Sequence, residues 1–90
     1  SIQTKDFSVN AFKVSSGHGS VFDPDIGKLM PISMSKDVLA SVSTIFTWGL
    51  DQYANKTGKK ITVKYTRILA MDGTPKKYVV LSARKSKDKS

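Results

Sequence analysis

The stretch Ser35-Lys36-Asp37-Val38-Leu39-Ala40-Ser41-Val42-Ser43-Thr44-Ile45-Phe46-Thr47-Trp48-Gly49-Leu50 decides how the rest of the chain is read. At the pitch of an α-helix, Val38, Leu39, Val42, Ile45, Phe46, Gly49, Leu50 and Tyr53 fall on one arc of about 140°. Ser35 is placed to cap the first turn, and Asp37 lies where a negative charge suits the free N–H groups. Asn55-Lys56-Thr57-Gly58 supplies the stop, with Gly58 as the left-handed residue past the end. The spacing predicts a helix over 36–56 with one apolar stripe, and such a stripe needs a sheet or another helix to cover it.

On the C-terminal side, Ile61, Val63 and Tyr65 alternate with Thr62, Lys64 and Thr66, the period of a half-buried strand. The alternation slips before Ile68, the mark of a bulge or strong twist. Asp72-Gly73-Thr74-Pro75-Lys76 reads as a hairpin turn and Tyr78-Val79-Val80-Leu81-Ser82-Ala83 as the returning strand. On the N-terminal side, Phe7-Ser8-Val9-Asn10-Ala11 alternates, then Phe12 and Val14 continue on the opposite parity, so a bulge is expected near Ala11–Phe12. Ser15-Ser16-Gly17-His18-Gly19-Ser20 is a turn cluster, Val21-Phe22 a brief apolar return, and Asp23-Pro24-Asp25-Ile26-Gly27 a second turn. Residues 28–34 read as a short strand that Pro31 confines to a sheet edge. The expected fold is α+β, ββαββ: an antiparallel sheet of two hairpins with one long helix packed on one face. Residues 1–84 form the single domain, and 85–90 a basic flexible tail.

The 90 residues are 39% hydrophobic and 24% charged, which fits a single globular domain and excludes collagen-like or wholly disordered chains. No apolar run reaches the roughly 20 residues of a membrane span. Without cysteine there are no disulfides, thiolate metal sites or thiol nucleophiles. Ser1-Ile2-Gln3-Thr4-Lys5-Asp6 lacks an apolar signal core, so a cytoplasmic location is expected.

The net charge is +8, and it is unevenly spread. Residues 1–55 carry four lysines against five aspartates, and residues 56–90 carry eleven cations against two aspartates. The whole excess therefore follows the helix, a pattern that steers polyanions or acidic surfaces toward one part of the molecule.

Few residues support catalysis. His18, the single histidine, reads as an exposed turn residue, since no serine or acid stands in a motif relation to it. Asp23 and Asp25 match only the opening of a calcium loop; the closing Glu is missing, so Asp23 reads as capping its own turn and no metal is expected. Ser16-Gly17-His18-Gly19-Ser20 lacks the Gly-Lys-Ser/Thr ending of a nucleotide-phosphate loop. Neither an enzyme nor a cofactor is implied. Trp48 lies about 60° outside the apolar arc. It is either covered by the N-terminal segment, packed against a second subunit in a homodimer, or left out as an interface for recognition.

The C-terminal hairpin carries the sharper expectation. With Ile61, Val63, Val79 and Leu81 toward the helix, alternation sends Thr62, Lys64, Thr66, Tyr78, Val80, Ser82 and Arg84 to the other side, a face with no acid. Lys59 and Lys60 mark one end of it, and Lys76 and Lys77 the turn. Cations beside an aromatic ring suit nucleic acid: the charges displace counterions from phosphates and the ring stacks on a base. The expected function is a non-enzymatic nucleic-acid-binding protein, with single-stranded DNA or RNA favoured over duplex. Lys59, Lys60, Lys64, Lys76, Lys77, Arg84 and Lys85 would contact phosphates, with Tyr78 offering a stacking face and Tyr65 a second candidate for one. The alternative is a small protein-interaction module, such as a phage-type inhibitor docking on an acidic host protein through an exposed Trp48.

Overall fold

The computed structural model describes residues 1–87. The elements run β1 (Gln3–Phe12), β2 (Gly19–Asp23), β3 (Lys28–Ser33), α1 (Lys36–Ala54), β4 (Ile61–Leu69) and β5 (Pro75–Lys85). The α+β character and the one helix are as the sequence predicts. The sheet is different. Instead of two hairpins side by side under a helix, the strands curl into a closed barrel in the order β1-β2-β3-β5-β4.

Two contacts close it. β1 pairs antiparallel with β4 from Gln3↔Tyr65 to Phe7↔Ile61, and β3 pairs parallel with β5 at Ile32↔Tyr78 and Ser33↔Val79. β1 thus serves two neighbours, because its second half, Ser8–Phe12, pairs with β2. The register shifts between Val9 and Ala11, one step before the position expected from the parity change, and a bulge there lets the strand bend from one partner to the next. β3 is no edge strand: β2 flanks it throughout, and Pro31 lies one residue before the β5 contact begins.

Phe7, Val9, Val21, Met30, Ile32, Ile61, Val63, Tyr65, Tyr78 and Val80 fill the barrel, and α1 adds Val42 and Phe46. The helix closes one end of the barrel. Phe46 stacks on Phe12 with ring centroids 5.1 Å apart, and Gly49 presses directly on Val9 and Ile61. The Ser35 hydroxyl accepts a hydrogen bond from the Val38 N–H at 3.2 Å, as its sequence position suggests. The other end of the helix differs. It stops at Ala54, and Lys56, at φ 55°, takes the left-handed position assigned to Gly58. The Lys56 N–H bonds the Tyr53 carbonyl at 3.2 Å and the Thr57 N–H that of Gln52 at 3.1 Å, the pair of bonds that defines a Schellman end.

The β4–β5 ladder positions the basic residues. Lys64 opposes Ser82 but Tyr65 opposes Val80, leaving Leu81 as an extra residue on β5. Beyond this bulge every β5 side chain changes face. Tyr78 and Val80 are buried in the barrel and Leu81 is exposed, so the expected orientation of Val79 and Leu81 toward the helix is overturned. β5 also continues to Lys85, and the Ser86 N–H bonds the Lys60 carbonyl at 3.0 Å. Lys85 is therefore paired with β4 and Ser86 with the residue before it, where a flexible tail was expected from Lys85 on; 88–90 lie outside the described residues.

Candidate nucleic-acid interface

The registers of β1, β4 and β5 build an outer wall row by row. Asp6, Thr62 and Arg84 are consecutive Cα partners across the three strands, and so are Thr4, Lys64 and Ser82. Past the bulge the wall continues as Thr66–Val79 and Ile68–Lys77. Thr62, Lys64, Thr66, Ser82 and Arg84 share the face expected for them. The change of phase at Leu81 substitutes Val79 and Lys77 for Val80 and Tyr78.

At the centre of the wall, the Thr62 hydroxyl donates to Asp6 Oδ1 at 2.6 Å and lies 2.8 Å from the Ser86 hydroxyl. These bonds satisfy a side chain that is only 8% exposed. Beside it, Asp6, Thr57, Gly58, Lys59, Lys60, Ser86 and Lys87 line an open groove of about 490 Å³. Lys59 and Lys60 reach it because the Schellman turn drops the chain from α1 onto the head of β4. There the Thr57 hydroxyl accepts from the Lys59 N–H at 3.2 Å. Lys59, Lys60 and Lys87 thus share this groove with Asp6, while Lys64 and Arg84 line a neighbouring groove with Thr4, Thr62 and Ser82; among the described residues Asp6 is the one acid lining either groove, and none of the five cations forms an ion pair. The acid is a correction to the acid-free face read from the hairpin by itself: β1, unassigned at Lys5-Asp6 in the sequence reading, brings Asp6 in.

Three expected contacts change. Tyr78 is 2% exposed, packs against Phe7 and Tyr65 with centroids 5.7 and 4.4 Å away, and donates its hydroxyl proton to Asp23; it offers no stacking face. Tyr65 is buried beside it. Lys85 lies on the other side of the ladder from Arg84, its Nζ 4.7 Å from the centre of the Trp48 ring. Trp48 is half-buried against the core, with this cation–π contact on its ring, and it borders a shallow groove with Val14, Thr44 and Asp51. Lys76 and Lys77 stand near the hairpin turn, with Lys77 separated from Lys85 by eight strand steps, about 26 Å. The cations therefore form two groups, one at each end of the ribbon.

A further polar cluster escaped the sequence reading. Asp23, fully buried, receives the Tyr78 hydroxyl, the Asp25 N–H at 3.0 Å and Lys5 Nζ at 3.1 Å; Lys5 also pairs with Asp25 at 2.8 Å. The expected Asx turn at Asp23 is present, but the side chain also seals the barrel interior. Burial by itself would push this carboxyl up; the Tyr78 and Lys5 bonds outweigh it and hold it below its ordinary value. The Tyr78 hydroxyl is pushed far above the usual phenol range by burial and by this carboxylate. A tyrosine in a core run needs a partner for its hydroxyl, and that was the available signal. His18 is exposed in the β1–β2 loop, its carbonyl accepting from the Lys13 N–H at 2.8 Å.

Residues 1–84 match the model of a family of unknown function, DUF7947, and the chain belongs to that family. No curated protein and no solved structure matches it.

Proposed function

We propose that this DUF7947 member is a non-enzymatic protein that binds nucleic acid through the β1–β4–β5 wall. The observation that carries the reading is the concentration of five cations on one hydroxyl-rich wall, Lys59, Lys60 and Lys87 lining the groove that holds Asp6 and Lys64 and Arg84 lining a neighbouring groove with Thr4, Thr62 and Ser82. Unpaired cations beside hydroxyl and backbone donors suit phosphate oxygens, and phosphate contacts supply most of the affinity in binding that ignores sequence. With Tyr65 and Tyr78 buried, the wall has no aromatic platform, and the preference for single strands loses its support. The reading becomes backbone binding, to duplex as well as to single strands.

The architecture is consistent with this class of ligand. Five-stranded Greek-key barrels recur among proteins that hold oligonucleotides and oligosaccharides, commonly on the β2–β3 face, although architecture does not by itself imply function. Here that face has Lys28 as its one cation, so charge favours the opposite wall.

Gel-shift titrations over single-stranded and duplex probes at two salt concentrations test the proposal. About five neutralised phosphates give a log–log salt slope near −4.5 on duplex and −3.5 on single strands. Replacing Lys64 and Arg84 by Gln should weaken binding to all sequences equally. Affinity that ignores salt, or no binding at low salt, refutes the reading. A protein partner retained from nuclease-treated lysate would favour the docking alternative.

A further inference from the structure

Beyond Tyr65, β4 leaves its β1 neighbour: the β1–β4 pairing ends at Gln3↔Tyr65, while β4 and β5 stay paired out to Leu69↔Pro75. A two-stranded ribbon therefore projects past the barrel wall. Its tip is apolar. Ile68 is 42%, Leu69 49% and Met71 fully exposed; other large apolar side chains are exposed elsewhere, Leu29 and Tyr53 among them, but here three lie within four consecutive residues and Met71 is the most exposed of all.

The tip is also firmly shaped. The Ala70 N–H bonds the Thr74 carbonyl at 2.8 Å and the Gly73 N–H bonds the Ala70 carbonyl at 2.9 Å. Asp72 Oδ1 accepts from the Thr74 N–H at 3.0 Å and from its hydroxyl at 2.7 Å. Gly73, at φ 87°, supplies the turn geometry. These bonds hold the Asp72 carboxyl below its ordinary range, with the charge of Lys28 on β3 adding to the effect. Met71 is thus displayed on a closed, hydrogen-bonded turn, where ordering it on binding costs little backbone entropy.

Charge indicates the partner. Arg67, Lys76 and Lys77 on the ribbon and Lys28 beside it outnumber Asp72 four to one, so the occupant is anionic yet receives aliphatic side chains. Along the ribbon, the face carrying Ile68 and Lys77 is the same face that carries Lys64 about 13 Å away and Arg84 about 20 Å away. A duplex lying on the wall would meet the tip within one helical turn, whose length is about 34 Å. Aliphatic side chains flanked by cations can enter between base pairs, unstack one step and kink the duplex.

We propose that the β4–β5 ribbon is a wedge, inserting Met71 and Ile68 between stacked bases of a duplex held by the basic wall. The inference rests on the nucleic-acid reading and adds a bent duplex as the ligand. The test uses the full chain and a duplex of about 30 base pairs labelled at its ends for energy transfer, with 2-aminopurine at successive positions. Wild-type protein should shorten the end-to-end distance, with a kink of at least about 20°, and brighten the probe at one step. The double variant Met71→Ser/Ile68→Ser, altered only at exposed positions, should still bind but leave the duplex straight and the probe dark. Salt-dependent binding without bending, or equal bending by the variant, overturns the wedge and leaves the wall standing. No binding to any nucleic acid overturns both. Retention on anionic phospholipid vesicles that depends on Met71, with no duplex bending, assigns the tip to a membrane surface and overturns the wedge as well.

Discussion

Asp23 is the residue on which the barrel interior depends most for its polar balance. A buried carboxylate is tolerated only when its lone pairs are used, and here Tyr78, Lys5 and the Asp25 N–H use them. Asp23→Ala leaves the buried Tyr78 hydroxyl without an acceptor, while Lys5 keeps Asp25 and partial access to water. The expected loss is therefore about 2–3 kcal/mol, nearer the cost of one orphaned polar group than of a wholly buried ion pair. Denaturant unfolding followed by circular dichroism measures it, and a loss below about 1 kcal/mol would mean the cluster is relaxed. The pH dependence has a definite sign. The folded-state pKa of Asp23 lies below its ordinary 3.8, so the unfolded chain takes up the proton first as acid is added. This contribution is complete above about pH 4 and is lost as pH falls through the depressed value. Asp23→Asn should flatten that acid limb. Lys5 acts at the other extreme: burial would lower its pKa, but the Asp25 and Asp23 bonds raise it above 10.5, so its contribution persists below that value and fades as pH climbs through the raised one.

At the scale of elements, α1 carries two opposed glycine questions. An exposed helical Gly→Ala change stabilises by about 1 kcal/mol. At Gly49 the added Cβ would lie 2.7 Å from Val9 Cγ2 and 3.1 Å from Ile61 Cγ2, both on β-branched side chains packed in the core. Overpacking of about 1–3 kcal/mol should exceed the propensity gain, so Gly49→Ala lowers the unfolding midpoint. At Lys56 the direction reverses. A lysine in the left-handed region is strained, its side chain is exposed, and glycine fits a Schellman end without strain, so Lys56→Gly should raise stability by about 1 kcal/mol in the same assay. The helix was legible because its apolar period, cap and stop agree. The β1 bulge was legible because Ala11 and Phe12 break an alternation that is otherwise clean. β5 was not, for a physical reason: Tyr78-Val79-Val80-Leu81 is an unbroken apolar run with no phase of its own. Requiring Arg84 to face outward then fixed the parity of the whole strand, whereas the Leu81 bulge satisfies an outward Arg84 and an inward Tyr78 together. Closure of the barrel was equally silent, resting on the β1–β4 pairing and on two residue pairs between β3 and β5.

For the molecule as a whole, the question is whether affinity comes from net charge or from where the charge is fixed. A net charge of +8 attracts any polyanion at long range, whatever its arrangement, and this steering alone raises association rates at low salt. The fold adds placement: the Schellman turn, the head of β4 and the end of β5 bring Lys59, Lys60, Lys64, Arg84 and Lys87 onto one wall, around two neighbouring grooves. Lys13 in the β1–β2 loop and Lys36 at the start of α1, the far end of a helix about 27 Å long, line neither groove. Two double variants of equal charge separate the effects. Lys64→Gln/Arg84→Gln and Lys13→Gln/Lys36→Gln both lower the net charge by two, and all four side chains are exposed, so neither should disturb the fold. If the wall makes the contacts, the first variant flattens the duplex salt slope by about 1.8 and the second leaves it unchanged. Equal losses in the two variants would mean that the chain acts as a diffuse cation, and the groove around Thr62 would then have no special part in binding.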